Sequence, residues 1–345
     1  MAKYLIDIPH PHFVHFFKNI IKELGADNVV ITCQDSGIIT KLLESNGIPY
    51  IVLGKKYKSI FSKGIGQFLY LKKYITLIRK NKIDVLLGMA PSTALAARLT
   101  GKQIVFFDDD DSAVQPLTKK ITVPLSNIII TPKCLEFENY GKNHLTYKGF
   151  QELAYLAPKY FIPDLRVIEK YNLKAKSYFI LRFNDFHAHH DSGHSGIPKE
   201  IKKELVHLLE KHGNVFITAE STLDSDFQKY QLKVEPTDIH HVLAFAKMYI
   251  GDSQTMTSEA AVLGTPSIRC NTFKNKISYL NELEYVHQLT YAFLPDESAN
   301  MVVKINDLLN LPNLEQEWDN RKTEMLSKME DVNENILKTL KSLKS

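Results

Sequence analysis

The stretch Tyr249-Ile-Gly-Asp-Ser-Gln-Thr-Met-Thr-Ser-Glu-Ala-Ala-Val-Leu-Gly-Thr-Pro-Ser-Ile-Arg269 reads as strand, tight turn, helix, turn, strand. Met248 to Ile250 form a short apolar run that ends at Gly251-Asp252-Ser253. Small and polar residues there start a helix whose first N–H groups have no carbonyl one turn earlier to bond. That end, with the helix dipole behind it, suits a phosphate or diphosphate, which makes Ser253, Gln254 and Thr255 candidate ligand contacts. Glu259 lies nearly two turns into the helix, where a carboxylate can accept hydrogen bonds from ribose hydroxyls. Gly264-Thr265-Pro266 ends the helix, since Gly tolerates a left-handed residue and Pro cannot continue the hydrogen-bond ladder. Ser267-Ile268-Arg269 opens the next strand, and Arg269 joins the candidate contacts.

Outward from that unit, composition sets the class. A chain of 345 residues exceeds what one hydrophobic core usually organises, so two domains are expected. Hydrophobic content of 44% and charged content of 24% are those of an ordinary globular protein. A net charge of +4 does not argue for nucleic acid. Cys33, Cys134 and Cys270 stand alone, without a CxxC pair, which fits a reducing compartment and no disulfide framework. Met1-Ala-Lys-Tyr-Leu-Ile-Asp-Ile passes straight into a strand-like run with no room for a signal peptide, and no window approaches the roughly 18 to 20 apolar residues of a membrane span. The expected location is cytoplasmic.

Strand-like runs alternate with amphipathic helices from the first residues. Lys3 to Ile8 leads through Pro9-His10-Pro11-His12, with His15 one turn on, into a helix over Phe13 to Leu24. In a doubly wound sheet that turn opens on the ligand-binding crevice, so His12 and His15 are candidate catalytic groups, with exposed turn histidines as the plainer reading. Ile104 to Phe107 ends at Asp108-Asp-Asp-Asp111. Four adjacent carboxylates raise one another's pKa, so something nearby should offset them. Asp109 and Asp110 are candidate bases; a divalent cation and an exposed acidic turn are the other readings. Ser177 to Phe183 is followed by a loop carrying Arg182, Asn184, His187, His189, His190, Asp191 and His194. Ligand contact, a zinc site and an exposed loop all remain open there, although the spacing fits no strong zinc signature. Val215 to Thr218 leads to Ala219-Glu220-Ser221. The lysines of Leu53 to Lys63, interleaved with Ile60 and Phe61, suit either an anionic membrane surface, through Lys55, Lys56, Lys58 and Phe61, or a solvated basic loop.

The organising unit resembles the nucleotide-sugar site of GT-B fold proteins, most closely the non-hydrolysing UDP-N-acetylglucosamine 2-epimerases and a prokaryotic family related to them. The epimerase pattern is Asp-Ser-Gly-Gly, three residues and then Glu, followed after a short helix by Gly-x-Pro. Asp252, Ser253, Glu259, Gly264 and Pro266 fit it, while Gln254 and Thr255 stand where the paired glycines would be. The related family also carries a His-rich opening and a Gly-x-x-Glu-x-x-Tyr-Leu pattern, matched here by Gly149, Glu152, Tyr155 and Leu156.

The resemblance implies an α/β chain of two Rossmann-like domains facing across a cleft, of GT-B type. It places a base among Asp108 to Asp111, and ligand contacts at Arg182, Asn184 and His190 and in the loop of Glu220 around the nucleotide base. The expected divisions are an acceptor domain over 1–150, a connection over 151–164, a nucleotide-sugar domain over 165–313, and a helical tail over 314–345 that returns to the first domain. The expected activity is metal-independent glycosyl transfer from a nucleotide sugar, a UDP-sugar first, to a glycan or lipid-linked acceptor in surface polysaccharide or glycolipid synthesis. No further cofactor and no nucleic acid are expected. Nucleotide-sugar 2-epimerisation and non-catalytic nucleotide-sugar binding are the alternatives. The absence of a His-Arg-x-Glu-Asn motif counts against epimerisation.

Overall fold

The computed structural model describes residues 2–55, 60–183, 196–219 and 223–343. The chain divides into two compact units, Met1–Tyr155 with Glu330–Ser345, and Leu156–Met329.

The first unit is built on a seven-stranded parallel sheet: β1 (Tyr4–Ile8), β2 (Val29–Asp35), β3 (Ile51–Lys55), β4 (Val85–Gly88), β5 (Gln103–Phe107), β6 (Ile128–Pro132) and β7 (His144–Tyr147). The spatial order is β3-β2-β1-β4-β5-β6-β7. Its helices are α1 (Pro11–Leu24), α2 (Gly37–Ser45), α3 (Ile60–Asn81), α4 (Pro91–Thr100), α5 (Pro116–Leu125) and the single turn α6 (Leu153–Leu156). Strand order reverses between β1 and β4, so right-handed crossovers put α1 and α2 on one face and α3, α4 and α5 on the other. The packing agrees, with α1 against α2, α3 against α4 and α4 against α5. All five residues of β1 are buried, as expected of a strand covered on both faces. One of them is Asp7, which accepts from Thr32 Oγ1 at 2.9 Å and bonds the buried Tyr74 hydroxyl. Burial pushes the Asp7 carboxyl up to about 6 despite those two bonds.

The second unit carries a five-stranded parallel sheet: β8 (Tyr178–Arg182), β9 (Asn214–Thr218), β10 (Met248–Gly251), β11 (Ser267–Cys270) and β12 (Thr290–Phe293), in the order β12-β11-β10-β8-β9. Its helices are α7 (Leu165–Glu169), α8 (Lys199–Leu209), α9 (Ile239–Ala244), α10 (Gln254–Leu263), α11 (Ser278–Asn281), α12 (Ser298–Leu309) and α13 (Leu314–Ser327). A π-helical turn over Glu282–Val286 continues α11. The reversal of strand order falls between β8 and β10. Of the tail, α13 stays with the second unit, where Trp318 is fully buried and its indole N–H donates to the Leu289 carbonyl at 3.0 Å. Only α14 (Val332–Ser342) belongs to the first unit, where it packs on α1.

Candidate functional site

In the second unit, β10 ends where strand order reverses, the position at which open α/β sheets bind ligands. Gly251 is required there by close approach. A Cβ at this position would lie 2.5 Å from the Tyr249 hydroxyl and 2.7 Å from the Arg182 carbonyl oxygen. The Asp252 N–H donates to that same carbonyl at 3.2 Å, and Asn271 Nδ2 donates to the Asp252 carbonyl at 2.8 Å, so the turn is fastened to both neighbouring strands. Ser253 is the N-cap of α10, and its hydroxyl accepts from the Met256 N–H at 3.4 Å. Ser253 therefore serves the helix itself. Gln254 and Thr255 follow as its first two residues, half-buried, with N–H groups that have no intrahelical acceptor. Gly264 ends the helix in the left-handed conformation at φ 82°.

Glu259 lies inside the protein, 5% exposed, with His240 of α9 beside it. His240 Nε2 and Glu259 Oε1 are 2.9 Å apart, and both side chains are buried. On the other side His240 meets the Phe161 ring edge-on, and its neighbour His241 accepts from the Asp164 N–H at 3.0 Å. The pair thus anchors α10 to α9 and to the segment following residue 156. A ribose would have to reach the Glu259 carboxylate on the side that His240 leaves uncovered.

Two arginines flank Gly251 in register, Arg182 on β8 and Arg269 on β11. Arg182 is half-buried and lies close enough to the Tyr249 hydroxyl to act on it electrostatically. Arg269 is sealed in at 1% exposure. Desolvation lowers its pKa, while Tyr279, Glu284 and Tyr285 act in the opposite direction. Its Nη1 and Glu284 Oε2 have no hydrogen-bond partner among the described residues. Glu284, on the π-helical turn, accepts from the Ala292 N–H at 3.0 Å through Oε1 and acts on the buried Arg269 electrostatically.

In the first unit, the turns after β1, β5 and β7 converge at the carboxyl edge of the sheet. His10 takes the N-cap position of α1 and Pro11 its first turn, which brings His12 and His15 into the helix as buried residues. His12 Nε2 lies 2.8 Å from Gln151 Oε1, and His12 Nδ1 lies 3.1 Å from the Tyr155 hydroxyl. The His15 ring stacks on Tyr155, with centroids 5.4 Å apart. Both His12 nitrogens are engaged. The Gly149-x-x-Glu152-x-x-Tyr155 motif thereby gains a role, as its tyrosine holds both histidines. Gly149 has φ +155°, a conformation that disfavours a side chain, and a Cβ there would crowd Leu153 and Val332 at 3.3 Å.

The four aspartates have the offset that their charge demands. Asp108 is buried and ion-paired with Lys119 Nζ at 2.6 Å. Lys119 also donates to the Asp110 carbonyl and, at 3.1 Å, to the Tyr140 hydroxyl. Burial still carries the Asp108 carboxyl up to about 6 against the attraction of Lys119. Desolvation raises Asp109 well above the usual carboxylate range, reinforced by Asp110, by Glu152 and by Asp108. Asp110 is raised by burial too, but Gln115 donates to its Oδ2 and Lys119 and His12 draw it down. Both carboxyls are thus raised by burial, Asp109 the further, and Asp110 has the more offsetting partners. Gln151, Glu152, Tyr155, Lys119 and Tyr140 are the members of this cluster that sequence reasoning did not name as site residues. The motif at 149–156 was the only signal for three of them.

Asn184, His190 and Glu220 lie outside the described residues. So do His187, His189, Asp191 and His194, as well as Lys56, Lys58 and the side chains of Lys55 and Phe61. Among the described residues, no group of three or more His, Cys, Asp or Glu side chains is arranged to hold a metal ion, and no helix is long and apolar enough to cross a membrane.

Among solved structures, the chain is similar to a putative UDP-N-acetylglucosamine 2-epimerase from Listeria monocytogenes, with TM-score 0.71 and 13% identity over 99% of this chain and 96% of that one. A Neisseria meningitidis UDP-GlcNAc 2-epimerase bound to UDP-GlcNAc gives TM-score 0.68 and 14% identity over 98% and 99% of the two chains. The spinosyn rhamnosyltransferase SpnG, complexed with thymidine diphosphate, gives 0.66 and 11% over 99% and 100%. These likenesses establish the fold, two Rossmann-like units of GT-B type. A Methanocaldococcus jannaschii protein described as uncharacterised is 24% identical over 286 residues, covering 77% of this chain and 80% of its own. The sequence profile of the DUF354 family, described as proteins of unknown function, matches residues 2–339, and the chain belongs to that family.

Proposed function

We propose that the chain is a GT-B enzyme that acts on a nucleotide-activated sugar, transferring the sugar to a glycan or lipid-linked acceptor. One observation carries the reading. The N-terminus of α10 stands at the strand-order reversal of the second sheet, with the N–H groups of Gln254 and Thr255 unpaired within the helix and Arg182 in register with Gly251 on the neighbouring strand. The solved relatives named with UDP-GlcNAc or thymidine diphosphate share the fold. In transfer, an acceptor hydroxyl oxygen bonds to the anomeric carbon as the bond from that carbon to the diphosphate breaks. The helix end and Arg182 stabilise the charge that develops on the leaving diphosphate. The acceptor proton passes to a carboxylate, for which Asp110 is the candidate.

Epimerisation at C2 is the second reading, favoured by the contrast between Asp109 and Asp110. Two neighbouring carboxyls, both raised by burial and Asp109 the further, stand where an acid and a base would be needed. A thermal-shift screen of nucleotide sugars, followed by incubation of each hit, tests both readings. Free nucleoside diphosphate formed only with an acceptor supports transfer, and an isomerised nucleotide sugar supports epimerisation. A screen with no hit contradicts both.

A further inference from the structure

The helical layer on one face of the first sheet has a composition unlike the rest of the chain. Asp and Glu make up 39 of the 345 residues. Helices α3, α4 and α5, of 22, 10 and 10 residues, contain none. On the opposite face, α1 and α2 carry the exposed carboxylates Glu23 and Glu44. The acid-free layer exposes large apolar side chains on each of its helices: Phe68 (58%) and Leu69 on α3, Leu95 and Leu99 (62%) on α4, and Leu117 (71%) and Ile121 on α5. Exposed cations stand among them, Lys72 and Lys73 on α3, Arg98 on α4 and Lys120 on α5, and the Lys72 ammonium lies 5.0 Å from the centroid of the Phe68 ring. Because α4 packs against both α3 and α5, the three stripes adjoin. Of the carboxylates at its margins, Asp84 is 3.6 Å from Lys102, and Asp108 of the acidic cluster is ion-paired with Lys119 of α5.

We infer that this layer is a docking surface for an anionic lipid bilayer. Exposed large apolar side chains grouped on three adjoining helices, rather than scattered singly, mark an interaction site. Its charge is of one sign, which complements anionic headgroups. The apolar side chains alternate with the cations along helix faces, so leucines enter the headgroup boundary while lysine and arginine stems reach outward. The basic run that precedes α3 extends the same character in sequence. Helix α5 joins this surface to the acidic cluster, because Leu117, Lys120 and Ile121 are exposed while the intervening Lys119 is buried on Asp108. Under the proposed transferase reading, a lipid-linked acceptor would meet the cluster from this side. The membrane contact itself does not depend on that reading.

Sedimentation of the full chain with vesicles tests the inference, using phosphatidylcholine alone and phosphatidylcholine with one-third phosphatidylglycerol. The chain is expected to bind the anionic vesicles, to leave them at high salt, and to ignore the neutral ones. Each basic residue at the surface is worth about fivefold in partitioning, so Arg98→Gln with Lys120→Gln should weaken binding roughly 25-fold. Leu99→Ser with Leu117→Ser should also release the chain, and Lys22→Gln with Lys41→Gln on the opposite face should leave binding unchanged. All six positions are exposed, and an unchanged melting temperature checks that each variant is folded. Failure of the wild-type chain to bind anionic vesicles at low salt overturns the inference, as does an equal loss in the α1–α2 variant. Neither result bears on nucleotide-sugar binding, which the thermal-shift screen reads separately.

Discussion

Replacing Tyr155 by Phe removes one oxygen atom from the centre of the first unit's cluster and leaves the ring in place. The stacking on His15, at 5.4 Å between centroids, survives, and the hydrogen bond to His12 Nδ1 at 3.1 Å is lost. His12 is only 9% exposed, so its Nδ1 is left without a water-filled route to a new partner. A buried hydrogen bond contributes about 1 kcal/mol net, and leaving its partner unsatisfied costs about 1–3 kcal/mol. The expected destabilisation of the first unit is therefore about 1–3 kcal/mol. Trp318, the chain's one tryptophan, lies in the second unit, so its fluorescence will not report the change. Hydrogen exchange of the β1 and β2 amides will. The same contact fixes the tautomer. Gln151 Oε1 accepts, which puts the proton on His12 Nε2 and leaves Nδ1 to accept from Tyr155. Nitrogen-15 spectra of histidine-labelled protein, with the His12 ring identified through His12→Asn, should show an unprotonated Nδ1. A protonated Nδ1 in the neutral ring, or exchange rates in Tyr155→Phe equal to those of the wild type, would refute this account of how His12 is held.

Three other perturbations follow from the geometry. The folded pKa of Asp7, about 6 against 3.8, lies above the unfolded one, so the native state keeps its proton longer and Asp7 costs stability progressively from about pH 4 to pH 6. Asp7→Asn, which retains an acceptor for Thr32, should gain on the order of 1 kcal/mol on the wild type between pH 5 and pH 8 in urea melts of the first unit, and parallel pH profiles would contradict the shift. Glu259→Ala removes a partner from the buried His240 and should lower stability by about 1–3 kcal/mol while weakening nucleotide binding; calorimetric affinity equal to the wild type would exclude a ribose contact at Glu259. Asp109→Asn and Asp110→Asn should each slow turnover of an identified substrate about 100-fold or more with little change in nucleotide affinity, and wild-type rates in both would end their assignment as proton-transfer groups.

Much of the architecture was legible because its signals are local. Gly251, Ser253, Gly264 and Pro266 punctuate one βαβ unit, and most strands announce themselves as apolar runs of four or five residues. Two of the four edge strands, β7 and β12, did not. In β7, His144–Tyr147, only Tyr147 is buried, so neither an apolar run nor a clean alternation marks it, and β12, Thr290–Phe293, lies within an aromatic-rich stretch of no clear period. The acidic turn stood out as a charge anomaly that needed a counter-ion. Lys119 supplies it from the buried side of α5, eight residues beyond Asp111, where helix rotation decides which lysine turns inward. The hold on His12 was out of reach for a different reason. Gln151 and Tyr155 are 139 and 143 residues away, and only the closing strands of the sheet bring them to the turn after β1. His240 and Glu259 were each visible, but their pairing depends on how α9 packs against α10.

The claim on which the functional reading depends is that a nucleoside diphosphate rests on the first turn of α10. Backbone amide spectra of the second unit recorded during a titration with UDP, and separately with thymidine diphosphate, test it directly. The account predicts that the largest shifts fall on Gln254 and Thr255, with Arg182 responding, for at least one of the two ligands. Saturable binding that leaves those amides unmoved while shifting another part of the sheet edge would contradict it.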